Sequence, residues 1–154
     1  MQLTRYTDYA LRILMYLSIR GGDGPITVSE VARFNKVSRH HLVKIVHRLG
    51  QLGFVTTTRG KGGGLRLARP AAEIRLGDVV RLTEVNFDLV ECFNPETNHC
   101  CLTPVCRLKA ILAEARAEFL GALDRYTLAD AIAEPAEVQL FMGRGPGVVP
   151  VIRF

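Results

Sequence analysis

The stretch TVSEVARFNKVSRHHLVKIVHRLGQLGFVTTTRGKGGGLRLARP, residues 27–70, decides the fold. Thr27 followed three residues later by Glu30 has the spacing of a capping box, in which side chains satisfy the open N–H groups of a new helix. That helix is short, with Val28, Val31 and Ala32 directed inward. Residues 35–37 turn the chain. Ser38 then caps a second helix whose Leu42, Ile45, Val46, Leu49 and Leu52 form one apolar stripe, and Gly53 ends it. Residues 54–58 read as a strand, 59–64 as a basic glycine-rich turn, and 65–68 as the returning strand. Two short helices across a tight turn, followed at once by a hairpin, predict a winged helix-turn-helix.

The pattern extends outward in both directions. Residues 8–20 repeat apolar positions at helical spacing, with Thr7 as the expected N-cap and Asp8 in the first turn, where a carboxylate suits the helix dipole. Residues 76–85 predict one further short helix. Residues 106–126 hold the strongest helix formers of the chain, with Leu108, Ile111, Leu112, Ala115, Phe119, Ala122 and Leu123 on one face. About twenty helical residues span roughly 30 Å. That is long for the remaining core of so small a domain, so pairing with a symmetry mate is expected. Thr127 is expected to cap a last turn or two.

The fold class is therefore mainly α with a small β-hairpin wing. Residues 1–85 form the winged helix-turn-helix, 86–106 a cysteine loop, 107–134 a dimerisation helix with its cap, and 135–154 a tail expected to be flexible.

Charge separates the two halves. Residues 1–85 carry 14 Lys+Arg against 6 Asp+Glu, and residues 86–154 carry 6 against 9. A basic first half suits a polyanion. The residues placed on DNA are Ser38, Arg39, His40 and Lys44, with His47 beside them, and Arg59 and Lys61 at the tip of the hairpin. Arginine reads guanine edges, and a helix start holds phosphate. The glycine-rich turn lacks the Lys-Ser/Thr ending of a nucleotide-binding loop, so its glycines are read as letting the wing approach DNA closely. No acid/base constellation suggests an enzyme. The apolar N-terminal stretch is interrupted by Arg12 and has no cleavage pattern, so neither a signal peptide nor a membrane span is expected, and a cytoplasmic setting follows.

All four cysteines fall in fifteen residues, CFNPETNHCCLTPVC, 92–106. In a reducing compartment clustered thiols favour metal or redox chemistry over a structural disulfide. Zinc would draw on Cys92, Cys100 and Cys106 with Cys101 or His99, yet the paired Cys-x-x-Cys of many zinc sites is missing. An iron–sulfur cluster accepts irregular spacing from one loop. The residues alone rank the cluster modestly ahead.

Four stretches carry a resemblance: MQLTRYTDYALRILMYL (1–17), VSRHHLVKIVHRLGQLGFV (37–55), TTRGKGGGLRLARPAAEIRLGDVVR (57–81) and CCLTPVCRLKAILAEA (100–115). Together they resemble the nitric-oxide-sensing repressors of the iron–sulfur winged-helix regulator family, over residues 1–133. The resemblance implies a homodimer on double-stranded operator DNA, an iron–sulfur cluster (4Fe–4S in preference to 2Fe–2S), and release of DNA on reaction with nitric oxide. It implies Cys92 and Cys106 as the first and last cluster ligands. The family's five-residue spacing before the last cysteine selects Cys100 as the middle one, with Cys101 a spare thiol. Cluster-biogenesis regulators of the same family place a histidine three residues after the last cysteine, and here that position is Lys109. The resemblance points instead to Asp8 of the other subunit as fourth ligand, with His99 an outside candidate. The alternatives are a biogenesis or redox regulator of that kind, or a zinc-stapled DNA-binding protein.

Overall fold

The computed structural model describes residues 2–22, 24–60 and 62–132. The expectations for Lys61 and for residues 135–154 lie outside them. Five helices and one hairpin follow in order: α1 Arg5–Arg20, α2 Val28–Phe34, α3 Arg39–Gln51, β1 Val55–Thr57, β2 Leu65–Leu67, α4 Leu76–Thr83 and α5 Arg107–Asp124. Among the described residues no helix is long and apolar enough to cross a membrane.

The core forms where the apolar stripes meet. Ala10, Ile13, Leu14 and Leu17 of α1 are buried with Val31 of α2 and Leu42, Ile45 and Leu49 of α3. Phe54, just ahead of β1, is fully buried among them. The two strands pair antiparallel with Val55 opposite Leu67 and Thr57 opposite Leu65, and Ile26 adds a single bridge to Leu65. Behind α5 the chain returns to the same core. Leu128 and Ile132 are buried, and the Leu128 N–H donates to the Ile74 carbonyl at 2.7 Å.

Three local expectations change in detail. The N-cap of α1 is Thr4, whose hydroxyl accepts the Thr7 N–H at 3.3 Å. Thr7 itself is buried, and its hydroxyl donates to Thr83 Oγ1 at 3.0 Å, which in turn donates to the Val79 carbonyl at 2.7 Å. A buried hydroxyl needs a partner more than a helix start needs a particular cap, and α4 supplies one.

The capping box at α2 is only half made. Thr27 Oγ1 accepts the Glu30 N–H at 3.1 Å, but the Glu30 carboxylate accepts the Tyr16 hydroxyl at 2.7 Å. Burial first, and this bond second, push the Tyr16 phenol up to about 12.

The wing glycines also have a reason internal to the hairpin. A side chain at Gly63 would overlap the Thr58 carbonyl, and the Thr58 N–H donates to the Gly64 carbonyl at 3.0 Å.

α5 is anchored at its far end. The Asp124 carboxylate accepts from both terminal guanidinium nitrogens of Arg81, at 2.5 and 2.6 Å, and the Asp124 carbonyl accepts from Arg75 at 2.8 Å. The carboxylate occupies the space a side chain at Gly77 would fill. None of the eighteen residues of α5 is buried. Leu112, Phe119, Ala122 and Leu123 are half-buried, while Leu108 and Ile111 are 59% and 56% exposed.

Gly77→Ala is accordingly expected to destabilise the protein by about 1–3 kcal/mol through overpacking, read as a lower Tm. In an Asp124→Ala background the same change should become stabilising, by about 1 kcal/mol of helix propensity. Arg81 holds the Asp124 carboxyl below its usual 3.8. Its contribution should be complete above that value and lost as pH falls through the lowered one, so Asp124→Asn and the native protein should converge in Tm on acidification.

Candidate functional site

Two regions concentrate the chemistry-bearing side chains: the outer face of α3 with the wing, and the loop between α4 and α5. On α3 the buried stripe of Leu42, Ile45, Val46 and Leu49 leaves Arg39, His40, Lys44 and His47 exposed on the other side. Ser38 caps the helix through its hydroxyl, which accepts the His41 N–H at 3.3 Å. Arg59 is exposed on the wing. The fold thus presents a basic helix face beside an exposed basic wing residue. In the turn between α2 and α3, Lys36 adopts a left-handed φ of 54°, the conformation such a tight corner demands even without glycine.

The inner flank of α3 rests on the first turns of α1. The Tyr9 and His41 rings meet edge to face with centroids 5.8 Å apart. Arg12 lies over the Tyr9 ring at 6.0 Å and its Nε meets Asp8 Oδ1 at 2.9 Å. Tyr6, also on α1, packs against the core. Burial raises its phenol, and the nearby Arg48 guanidinium opposes the rise. Asp8 is therefore connected to α3 through two side chains. The i, i+4 spacing of Asp8 and Arg12 was readable as an ion pair, but the contact of Tyr9 with His41 is tertiary and has no local signature.

The cysteine loop leaves α4 next to α1. Glu84 Oε1 accepts the Thr4 N–H at 2.8 Å. The loop then contains two single helical turns, Glu91–Phe93 and Thr103–Val105. Polar contacts hold it in place of a core. Asn98 Oδ1 accepts the Cys100 N–H at 3.0 Å, Thr103 Oγ1 donates to the Cys100 carbonyl at 2.8 Å, and Glu91 Oε1 accepts the His99 N–H at 2.6 Å. Arg116 of α5 covers the Phe93 ring at 4.6 Å. Asn98 and Thr103 are functional neighbours that periodicity and cysteine spacing do not reveal, although an Asn whose side chain can reach the backbone two residues on is an Asx-turn signal.

All four cysteines are free thiols, and their burial is graded. Cys92 is buried, Cys100 and Cys106 are half-buried, and Cys101 is exposed. Cys106 is the N-cap residue of α5. The chemistry of this donor set, three thiols that are at least half-buried and lie in one loop, fits a soft metal centre or an iron–sulfur group. Among the described residues the fold brings no three His, Cys, Asp or Glu side chains together as a ready metal site. Asp8 lies on α1 in its pair with Arg12, His99 is exposed, and Lys109 is half-buried on α5.

Comparison with known proteins gives a consistent result. The Rrf2 family model, described as an iron-dependent transcriptional regulator, matches residues 3–134. The HTH-type transcriptional regulator NsrR of Halalkalibacterium halodurans is 47% identical over 146 residues, covering 95% of this chain and 100% of the relative. That of Geobacillus kaustophilus is 50% identical over 139 residues, covering 90% and 95%. Among solved structures, T. potens IscR superposes with a TM-score of 0.71 at 24% identity, over 90% of this chain and 91% of that one. It shares the fold.

The burial gradient makes a direct chemical prediction. Under anaerobic, metal-free conditions, iodoacetamide should modify Cys101 first and Cys92 last. Peptide mass spectrometry over a time course would show the order, and rapid labelling of Cys92 would contradict the loop packing described.

Proposed function

This chain belongs to the Rrf2 family of transcriptional regulators, and on that footing we propose that it is a nitric-oxide-responsive repressor that binds operator DNA as a homodimer and carries an iron–sulfur cluster in its cysteine loop. It is a regulator of the NsrR kind rather than an enzyme. Signal, cluster, repression and dimer are the proposal, as is its setting in a reducing cytoplasm.

The observation that carries the reading is the connection of Asp8 to α3. Asp8 holds Arg12, Arg12 lies over Tyr9, and Tyr9 abuts His41 of the recognition helix. A ligand role for Asp8 in the partner's site would draw its carboxylate from Arg12 and alter the support behind α3. Cys92, Cys100 and Cys106 would hold the cluster from the loop, with Asp8 of the other subunit completing the set and Cys101 left over. When bound, the group held by these residues would supply iron able to react with nitric oxide. The protein's part is to convert the gain or loss of one carboxylate bond into a change in two recognition helices, a ligand-biased two-state dimer.

The dimer has its own support. Leu102, Val105, Leu108 and Ile111 expose apolar surface along the end of the loop and the first half of α5, with Val105 80% exposed. A stripe of this kind on a helix without buried residues is suited to a second copy about a two-fold axis. On DNA, Arg39, His40, Lys44 and the Ser38 helix start would meet the major groove, and Arg59 and Lys61 the minor groove or the phosphates.

The decisive experiment titrates nitric oxide into anaerobically prepared protein while operator binding, visible absorbance, iron and sulfide are measured together. DNA binding should vanish in proportion to reacted cluster. Binding that persists after all of it has reacted would sink the sensor reading, and zinc in place of iron and sulfide would replace it with a structural one. Cys100→Ala should abolish cluster binding and Cys101→Ala should retain it. Arg39→Ala should weaken specific binding by about 1–3 kcal/mol if it reads a base.

A further inference from the structure

One side chain on the outer face of α3 differs in chemistry from its exposed neighbours. Val43 is 41% exposed. Every other exposed residue of α3 is polar or basic, Gly50 aside. A β-branched residue on an exposed helix face is below average for helix formation, and its uncovered methyl groups cost hydration free energy. Neither helix propensity nor the exposed part of its surface gives a reason for it.

Its position does. Val43 follows Arg39 by four residues and precedes His47 by four, so the three share one stripe of the helix surface. That stripe borders a shallow groove walled by Val28, Val46, Val55 and Thr57. An apolar group stands between two cationic or titratable ones, against an apolar wall, on the surface assigned to the major groove. Valine can neither donate nor accept a hydrogen bond. The one apolar feature that base edges present in the major groove is the C5 methyl group of thymine.

We propose that Val43 is a specificity-determining residue that reads a thymine methyl group in each operator half-site, next to the base contacted by Arg39. The proposal rests on the reading of α3 as the recognition helix. Arg39 and Lys44 would supply affinity and hydrogen-bonded readout, whereas Val43 would distinguish thymine from cytosine at its position by an apolar contact alone.

The test removes that methyl group and nothing else. A duplex selected by the anaerobic full-length protein from a random-sequence pool is resynthesised with deoxyuridine replacing one thymine at a time. Base pairing and every hydrogen-bonding group are retained. Wild-type binding should weaken about fourfold, the value of one buried methyl group, at one thymine per half-site. Val43→Ser, at an exposed site and with similar helix propensity, should bind the all-thymine duplex more weakly and lose the dependence on that position. If no thymine position affects the wild type, or if Val43→Ser keeps the same sensitivity, the proposal is overturned. Failure of the wild type to select any duplex would instead overturn the reading of α3 itself.

Discussion

The hydroxyl pair between Thr7 and Thr83 sets the frame on which the rest depends. It lies buried where α1 meets α4, at 3.0 Å, and passes its hydrogen bonding on to the Val79 carbonyl. Glu84 closes the same junction by accepting the Thr4 N–H at the open end of α1, where a carboxylate also complements the helix dipole. A buried hydroxyl stripped of its partner costs about 1–3 kcal/mol, so the junction has one good arrangement. It fixes the first turns of α1 between the recognition helix on one side and the start of the cysteine loop on the other. Tyr9 reaches His41 because of this placement, and Asp8 stands one position away.

α5 is built with the opposite logic. Its far end is clamped through Asp124 to Arg75 and Arg81, and the following residues return to the core at Leu128 and Ile132. Its near end begins at Cys106 and exposes Leu108 and Ile111. One end thus belongs to the winged helix, and the other presents a thiol and an uncovered apolar stripe. A change at the cysteine loop meets little packing resistance within the chain before it reaches the surface proposed for the dimer contact. This asymmetry suits a helix that is part of the dimer contact and of the proposed sensing site at once.

Much of this was legible in the residues. The stripes of α1 and α3, the Ser38 cap and the glycine-rich turn specify the winged helix locally, because period, caps and turn chemistry agree. The N-cap of α1 lies three residues ahead of Thr7, since Thr4 and Thr7 are both credible caps and only the buried partner Thr83 decides between them. Glu30 carries the capping-box spacing, yet Tyr16, fourteen residues earlier, takes its carboxylate. At the candidate site, the spacing of the cysteines showed that thiols gather, but their grading from buried Cys92 to exposed Cys101 depends on how Asn98, Thr103 and Arg116 hold the loop. The contact of Tyr9 with His41 joins residues 32 positions apart in sequence and is invisible to any periodicity.

The energetics of Asp8 explain why such a residue can serve a switch. Its partner Arg12 is on the same helix, and both side chains are substantially exposed, 44% and 55%. An exposed i, i+4 pair of this kind is worth about 0.3–0.5 kcal/mol, because water and salt screen it and two flexible side chains must be ordered. The pair holds the carboxylate in a defined place without committing it. A stronger demand on that carboxylate from a partner subunit would displace Arg12 at small cost, whereas the Thr7–Thr83 junction a few ångströms of helix away would hold. The helix would keep its seat while the guanidinium above Tyr9 is released. That combination, a rigid mounting with a weakly held ion pair at its tip, is the physical requirement for a residue that reports on a neighbouring site without unfolding the domain that reads DNA.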